Sequence, residues 1–483
     1  MQTYHPKISV WLTHGRPRKL LADTVSADGR RYRQTPHGFD LTPLLGTDSV
    51  VEVRKSVRDA TGTFMLSFPD RSVSLTQGGA AGFDSLAAFI EPMDSIEIRL
   101  SHSGTTDTAG RYPLVLRGFV TSVARSESIA NGVPQRMVRV TGHDYGKVLQ
   151  LIRLVSEPNG QLDGTLKTVL AYFTRYAKGT EAKTKTVGQF MQEVADVVIN
   201  PYLQTMVGQA GQVLKQMAVQ ADVAASVSVS AKSLSENISL LELLRGVLDV
   251  PAFNELYVED SEAGATLVVR PIPLKDTASG RFLQGEAVQW RIDDKDIEQL
   301  STERSDAGVA NYFAVSSRAH ADVNQTLTAE DVQTAQDRLG YVNSASAVFG
   351  FRAMRMETAL LPNQYVRNDN PKKAVIAGNT QKLADYLRSQ SALLAAMNRD
   401  NVILDSGALQ LRGDERLKPG CYLKLYRGGR YMGEVYAHTI SHRFTLYQSF
   451  VSSIVFDRGT LFYERAKAEQ SLYPYEQATG GIV

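Results

Sequence analysis

Eight histidines are the residues of this 483-residue chain best suited to bind a metal ion or to transfer protons. His438 and His442 are four residues apart, the spacing at which two histidines on a helix can bind zinc. Their neighbours Tyr436 and Phe444 indicate a strand instead, where residues four apart are separated by about 13 Å. No HExxH motif occurs. We therefore expect surface or hydrogen-bonding roles for both histidines and no metal site.

Two further groups could take part in catalysis. His143 and Asp144 are adjacent and could orient a nucleophile, but they lie where a predicted strand turns into a helix. Asp144 is therefore better placed to accept hydrogen bonds from free backbone N–H groups. Cys421 is the single cysteine of the chain, which excludes an internal disulfide. It lies between Pro419-Gly420 and a predicted strand, where a packing role is more common than a nucleophile.

Other signatures of enzymes are missing from the sequence. Gly428-Gly429 lacks the lysine and the strand–loop–helix context of a phosphate-binding loop, and it fits a hairpin turn better. No G-x-S-x-G nucleophile motif occurs. Acidic residues are abundant, but nothing singles out a pair that could hydrolyse a glycoside. We predict no catalytic residue, no metal site and no cofactor.

The composition is that of a folded, multidomain protein. Hydrophobic residues make up 43% of the chain and charged residues 22%, and 53 basic residues nearly balance 51 acidic ones. A protein held to nucleic acid or membrane by net charge usually has a larger imbalance than +2. A basic cluster between Arg16 and Arg33 could contact phosphate or an acidic protein face, although a solvated loop is the simpler interpretation. No apolar stretch approaches a membrane span, and no signal peptide is expected.

Period-two alternation predicts strands in two separate parts of the chain. Ile8, Val10 and Leu12 alternate with other residues, and the same pattern recurs around residues 64–68 and 94–100. A second β-rich block runs from about residue 407 to 456. The two blocks are similar in kind, but they contain no close sequence repeat. Short strands at this spacing are typical of a barrel or sandwich.

Helical patterns separate the two β-rich blocks. Thr186 with Gln189 and Ser239 with Glu242 form capping boxes, each before an apolar helical face. Pro201 should kink or end the first of these helices. The order β, α, β, α, β predicts an α+β, β-rich multidomain chain and not an enzyme with a parallel βαβ sheet. We place a first β domain at 1–158, a helical insert at 159–250, the start of a second β domain at 251–325, a mixed insert with a long helix at 326–400, the remainder of the second β domain at 401–465 and a C-terminal arm at 466–483.

Two stretches carry a recognisable pattern of short motifs. The first consists of residues 89–99, 116–123 and 138–146. The second runs through Gly413-Asp414, Pro419-Gly420, Tyr436, His442, Phe444 and Arg458-Gly459. Together they resemble the late-control or tail-hub family of tailed-phage baseplates, which is shared in part with type VI secretion spikes and contractile bacteriocins.

The resemblance implies two tube-type β-barrel domains with helical insertions in one chain. A homotrimer would then present six similar barrels to the sixfold tail tube and a threefold face to the central spike. The implied function is a structural, non-enzymatic baseplate hub that contacts the tail tube protein or a tube-terminal baseplate protein, the central spike and the surrounding wedge proteins. DNA would pass through it without sequence-specific binding, and no membrane insertion is implied. Such a hub would be assembled in the host cytoplasm and reside in the virion.

Turn residues at strand ends are the positions that this resemblance marks as structural. They are Gly142, Asp144, Gly413, Asp414, Pro419, Gly420, His442 and Arg458. A strand that ends in Gly-x-Asp can turn sharply while the carboxylate accepts the following N–H groups. In a Pro-Gly turn, proline presets one backbone angle and glycine adopts the positive one.

Two other functions remain open at this point. A tail-associated cell-wall hydrolase would have its acids hidden among the loops, and an envelope-binding adhesin would use the β modules as binding surfaces. Some hubs carry a lysozyme or peptidase module. This sequence ends shortly after Arg458-Gly459, so we expect the remaining residues to form an arm that contacts a partner or is disordered.

Overall fold

The computed structural model describes residues 4–13, 38–47, 49–71, 85–130, 133–154, 185–207, 215–227, 238–276, 280–318, 342–363 and 373–461. The basic cluster between Arg16 and Arg33 and the C-terminal arm at 466–483 lie outside these ranges. One large sheet runs through the described part of the molecule and smaller sheets and helices flank it. The prediction of an α+β, β-rich multidomain chain is confirmed.

The strands before residue 145 form what we call the first module. Its elements are β1 (Lys7–Thr13), β2 (Phe39–Asp40), β3 (Val50–Ser56), β4 (Thr63–Pro69), α1 (Leu86–Phe89), β5 (Ser95–Ser101), β6 (Leu114–Ala130) and β7 (Val133–Asp144), with a 3₁₀ turn at Thr42–Leu44. The strands form because apolar residues alternate with others, so that Val10, Leu66 and Ile98 all point into one core. The strands predicted around residues 8–12, 64–68 and 94–100 are confirmed.

A first insert of helices and short strands follows the first module. It contains α2 (Gly146–Leu151), β8 (Arg153–Leu154), β9 (Lys185–Thr186), α3 (Val187–Val194), a π-helical turn (Ala195–Ile199), α4 (Asn200–Val207), β10 (Ala218–Ala221), β11 (Ser226–Val227), β12 (Ile238–Ser239), α5 (Leu240–Val247), β13 (Asn254–Ser261), β14 (Gly264–Pro271), β15 (Leu274–Lys275) and β16 (Phe282–Gln284). Both predicted capping boxes are confirmed, with Thr186 opening α3 and Ser239 opening α5. Pro201 does not end the helix: the π turn precedes it, and α4 continues beyond it.

The remaining strands form the second module, which a second insert interrupts. The module consists of β17 (Gln289–Asp293), β18 (Ile297–Glu303), β22 (Asp405–Arg412), β23 (Cys421–Arg427), β24 (Arg430–Thr445) and β25 (Ser449–Gly459), with a 3₁₀ turn at Asp294–Asp296. The second insert contains β19 (Tyr312–Ser317), a 3₁₀ turn (Val342–Ser344), α6 (Ser346–Phe349), β20 (Ala353–Thr358), β21 (Leu360–Leu361) and α7 (Lys373–Asn398). Gly428 and Gly429, both with positive φ, form the predicted hairpin turn between β23 and β24.

The two modules share one sheet of 13 strands. Its main path is β18-β22-β25-β24-β3-β4-β7-β6-β5-β1-β2, while β23 pairs with β24 and β17 pairs with β23. The two barrels expected from the sequence are not closed within this one chain, because the path is open from β18 to β2 among the described residues. The modules are continuous because β24 is long enough to pair with both β23 and β3.

Five strands within residues 251–325, the range that we assigned to the start of the second β domain, lie outside the large sheet. β13 and β14 form a three-stranded sheet with β10, and β19 pairs in parallel with β20. Leu256 and Leu267 of β13 and β14 share one hydrophobic core with Phe190 and Leu244 from α3 and α5 and with Phe119 from β6. The helical faces and the first module therefore bury these two strands together. Within the described residues, no helix is both long and apolar enough to cross a membrane.

Candidate functional site

Six strands of each module have the same spatial order. The order is β3-β4-β7-β6-β5-β1 in the first module and β18-β22-β25-β24-β23-β17 in the second. The order along the chain also matches, because β1, β3, β4, β5, β6 and β7 correspond in turn to β17, β18, β22, β23, β24 and β25. One strand departs from the match: β1 is antiparallel to β5, whereas β17 is parallel to β23. The chain therefore contains one strand arrangement twice.

The irregularities of the two modules also correspond. The ladder between β6 and β7 shifts register at Thr121, and the ladder between β24 and β25 shifts at His438. The ladder between β5 and β6 shifts after Ile98, and that between β23 and β24 shifts after Leu425. A β-bulge is a specific local feature that re-aims a strand. These bulges therefore align the modules residue by residue, with Thr121 in the place of His438.

The junction between the modules is a strand pair within the chain. The second half of β24 pairs antiparallel with β3, with Thr439 opposite Ser56 and Thr445 opposite Val50. Phe444 and Phe450 of the second module pack into the hydrophobic core of the first, with ring centroids 5.7 Å apart. Burial of a side chain of this size contributes roughly 1.5–3 kcal/mol. The junction is therefore part of the core and not a loose contact.

A buried ion cluster lies beside this junction. The Nζ of Lys55, on β3, is 2.8 Å from Asp144 Oδ2 and 2.5 Å from Asp260 Oδ2. Burial disfavours the charge of Lys55, but the two carboxylates outweigh it and raise the pKa of the ammonium group. Burial, with the charge of Asp144 adding to it, raises the pKa of Asp260. The cluster ties the ends of β3 and β7 in the first module to β13 of the first insert.

His442 holds the turn that precedes β23. The Ser452 hydroxyl accepts a hydrogen bond from the Asp414 N–H at 3.0 Å and lies 2.9 Å from His442 Nδ1. The other ring nitrogen lies 3.1 Å from the carbonyl oxygen of Leu417. Burial lowers the pKa of His442 to about 4, so the ring is neutral at pH 7. A neutral ring can donate to Leu417 and accept from Ser452 at the same time.

A second contact joins the same turn to the first module. The Nδ1 of His102 is 3.0 Å from each carboxylate oxygen of Glu415, whose Oε2 also accepts the His102 N–H at 2.7 Å. Asp414 Oδ1 is 3.8 Å from the same ring nitrogen. Burial acts to raise the pKa of Asp414, but hydrogen bonds from Arg416 outweigh it and lower the pKa. Among the described residues, this group of a histidine and two acids is the one whose spacing would suit a metal ion.

Arg270 of the first insert forms hydrogen bonds that connect this insert to the second module. Its Nε donates to Glu255 Oε2 at 2.9 Å and its Nη2 donates to the Gly420 carbonyl oxygen at 3.0 Å. The Tyr436 hydroxyl donates to the other oxygen of Glu255. Burial raises the pKa of Glu255, and Arg270 offsets only part of that effect. The insert therefore fixes the Pro-Gly turn from outside the module.

The residues marked by the sequence fall into two groups. Gly413, Asp414, Pro419, Gly420 and His442 lie together at the turn before β23. The other three, Gly142, Asp144 and Arg458, do not join them.

Those three residues occupy matching strand ends. Gly142 and Asp144 lie on β7, where a Cβ on Gly142 would collide with the carbonyl oxygen of Phe119. Arg458 lies near the end of β25 with a positive φ of 53° and corresponds to Asp144 in the module alignment. Asp144 accepts the Gly146 N–H at 2.9 Å, which is the capping role expected from the sequence.

Sequence reasoning missed Lys55, Asp260, His102 and Glu415. Each is a charged or polar residue on a strand or in a turn, and its partner lies far away in the chain: Lys55 and Asp260 are 205 positions apart. No local spacing reveals such a pair. The only available signal was an ionisable residue at an alternating position of a predicted strand, which is too common to be specific.

Comparisons with known proteins give matches among solved structures alone. No protein-family profile matches the chain, and no curated protein matches its sequence. A 43 kDa prophage tail protein from Shewanella oneidensis matches over 93% of this chain and 98% of its own, with 12% identity and a TM-score of 0.43. A tail protein from Neisseria meningitidis matches over 98% of both chains, with 10% identity and a TM-score of 0.45.

A third match is a component of the type VI secretion system of E. coli, described as structurally similar to bacteriophage tail proteins. It matches over 87% of this chain and 75% of its own, with 9% identity and a TM-score of 0.35. These three neighbours are thus described as two phage tail proteins and a component of a secretion system.

Proposed function

We propose that this chain is a structural hub of a phage tail baseplate. Three copies form a ring that joins a sixfold tail tube to a threefold central spike, and DNA passes through the ring. The observation that carries the proposal is the duplicated strand order, with both copies joined edge to edge in one sheet. The sequence resemblance to tail hubs supports the same assignment.

The duplicated modules suit a ring of three chains. Two modules joined side by side supply two similar positions of a ring, so three chains supply six. The contact between β24 and β3 occurs once within each chain, so it would account for three of the six lateral contacts of the ring. A ring of this kind is sixfold in its modules and threefold in its inserts, which suits a component between a tube and a spike.

The exposed face of the joined sheet supports passage of DNA. At the junction, one face carries Phe444 and Val51 into the core, while the opposite face carries Arg54, Arg443 and Glu52. Glu52 lies directly opposite Arg443 in the ladder. Mixed charges on the channel wall would let a polyanion slide without strong attachment, since attraction to phosphate depends on the number of uncompensated basic groups.

The buried ionisable groups support a role without catalysis. Lys55 and His442 have displaced pKa values, but both are enclosed in contacts that hold strands and turns together. Burial also raises the pKa of the Cys421 thiol to about 12, which leaves it protonated and unreactive at neutral pH. The two inserts, in contrast, lie outside the large sheet and offer surfaces for the spike and the wedge proteins.

The test is the mass and shape of the purified protein. Light scattering should give three times the 53.0 kDa chain mass, and electron micrographs should show a ring of six lobes with threefold symmetry. A label on this chain should mark the baseplate of assembled tails. A monomer at micromolar concentration that binds neither tube nor spike protein contradicts the proposal. Release of labelled peptidoglycan would favour a hydrolase, and binding to isolated envelopes would favour an adhesin.

A further inference from the structure

The second half of β6 has one free edge. β5 pairs with β6 only between Leu114 and Phe119. Beyond the bulge at Thr121, β6 pairs with β7 on one side, and no described strand pairs with the other side. The side chains there are exposed, including Ile129 at 78%. A long strand with unpaired N–H and C=O groups is a template for another strand.

The corresponding half of β24 is not free, because β3 covers it. The aligned bulges place Ser122 at the position of Thr439 and Ser128 at that of Thr445. Thr439 to Thr445 is the stretch that pairs with β3 at the junction within the chain. The first module therefore has an open position where the second module already has a partner.

The partner that fits this position is present in the second module. β18 corresponds to β3, with Gln299 in the place of Val50 and Thr302 in the place of Val53. β3 has partners on both sides, whereas β18 pairs with β22 and with no other described strand. The two free edges lie at opposite ends of the joined pair of modules, so one chain cannot pair them with each other in the geometry of the existing junction.

We propose that β6 of one copy pairs antiparallel with β18 and the residues that follow it in a second copy, in the register of the junction within the chain. Ser122 lies opposite Ser305, Ser126 opposite Ser301 and Ser128 opposite Gln299. This interface rests on the proposed trimeric hub and names the surface through which its chains join. The occupant of both edges is another copy of this chain.

The side chains suit this register. On one face, Ser122, Ala124 and Ser126 are small, and they meet Ser305, Glu303 and Ser301 without a steric conflict. On the other face, Glu127 meets Leu300 and Arg125 meets Thr302. No two like charges lie directly opposite each other, an arrangement that would destabilise the pair.

This interface is more polar than the junction within the chain. In the alignment of the modules, Glu127 is equivalent to Phe444 of the junction, and Thr302 is equivalent to Val53. Glu127 and Thr302 bury less apolar area than Phe444 and Val53 do. The contact between chains should therefore dissociate more readily than the junction, which unfolds only with the module cores.

Cysteine pairing tests the register. In Ser126→Cys/Ser301→Cys, the two sulfurs of neighbouring copies come within disulfide reach, and oxidation should give covalently linked trimers on a non-reducing gel. Ser126→Cys/Gln299→Cys and Ser126→Cys/Glu303→Cys shift the register by two residues, which increases the separation of the Cα atoms to about 7–8 Å. These two should form cross-links at least about tenfold more slowly. Cys421 is buried and adds little background.

The matched positive control lies within the chain. Glu52→Cys/Arg443→Cys occupies the corresponding positions of the existing junction and should form an internal disulfide without any gain in mass. It shows that this register permits a disulfide. Variants with a single new cysteine, at Ser126 or at Ser301, measure how fast disulfides form by random collision between chains.

The possible results distinguish a failure of the proposed interface from a failure of the proposed function. Trimers by light scattering with no cross-link at 126/301, or with faster cross-linking of a shifted pair, overturn the interface and leave the hub intact. A monomer at all concentrations overturns the hub and the interface together. Linked species that grow beyond three chains contradict ring closure. Slow hydrogen exchange at residues 122–128 in a monomer would mean that another part of the same chain covers the edge, which also overturns the interface.

Discussion

Met93 and Gly420 occupy the same place in the two modules. Each follows a proline, each has a left-handed backbone with φ of 73° and 84°, and each precedes a strand by one or two residues. The Met93 N–H donates a hydrogen bond to the carbonyl oxygen of Val120, and the Gly420 N–H donates one to the carbonyl oxygen of Ala437, both at 2.7 Å. Val120 and Ala437 are themselves matched by the bulges that follow them. The turn is thus reproduced in both modules although the residue at its centre differs.

Substitution of the two turn residues should have unequal effects. Gly420→Ala should lower the free energy of unfolding by at least about 1–2 kcal/mol, because a Cβ in the left-handed region is strained and would also collide with Arg270. Met93→Ala keeps the strain that is already present and should change stability by less than about 0.5 kcal/mol. Urea unfolding measures both. Equal losses would show that the Arg270 contact and the glycine are irrelevant to this turn.

The buried ion cluster should be sensitive to loss of its cation. Lys55→Met leaves the two buried carboxylates, Asp144 and Asp260, without their cation and should cost about 3–5 kcal/mol of unfolding free energy. The second substitution in Lys55→Met/Asp260→Asn removes one of the two charges and should restore part of that loss. Lys418→Met, at an exposed ion pair with Glu259, is the control and should cost less than about 1 kcal/mol. Thermal or urea unfolding decides; a double variant no more stable than Lys55→Met contradicts the account.

His442 should make stability depend on pH. Its folded pKa of about 4 lies below the value of 6.5 for a free histidine. The unfolded chain therefore binds the proton more readily between these values, and stability falls as pH decreases from about 6.5 to 4. Over this range the loss from His442 should be about 3 kcal/mol. The loss disappears about one pH unit above 6.5, where the ring is neutral in both the folded and the unfolded state.

The variant His442→Gln isolates that contribution. Glutamine can still hydrogen-bond but does not titrate, so the difference in unfolding free energy between variant and parent should shrink as pH falls from 6.5 to 4. Carboxylates that titrate in the same range affect both proteins equally. A difference that stays constant with pH would mean that the ring does not bind its proton preferentially in the unfolded chain.

Cys421 should react only when the second module opens. Its thiol is buried and its pKa is raised to about 12, so the thiolate fraction at pH 8 is about one in ten thousand. A thiol reagent should modify it at the rate of unfolding in native buffer and at once in denaturant. Ser453→Cys places a thiol on the exposed face of β25 and should react immediately. Rapid modification of the parent protein would show that the turn before β23 opens without unfolding.

Much of the local structure could be predicted from the sequence. Alternation at Ile96 and Ile98 predicted β5, and the spacing of Thr186 and Gln189 predicted a capped helix, because both features depend on neighbouring residues. Proline and glycine at 419 and 420 predicted the turn for the same reason.

The duplication and the contacts between distant segments could not be predicted in this way. The modules preserve burial in some places, such as Ile98 and Leu425, but Phe444 corresponds to Glu127, so residue identity shows no repeat. The pairing of β24 with β3 depends on how far one strand extends beyond its hairpin partner. Sequence alternation alone does not fix that length or that register.

The length of β24 has a mechanical consequence. One continuous strand, with a bulge at His438, enters the second module at Arg430 and leaves beside the first at Thr445. Any rotation of one module relative to the other must bend β24 and break its hydrogen bonds. Because of this, the two modules of each chain should move together as one rigid, arc-shaped body. Relative motion is then confined to the interfaces between chains. A collar of such arcs would open or twist at three seams and hold its shape everywhere else.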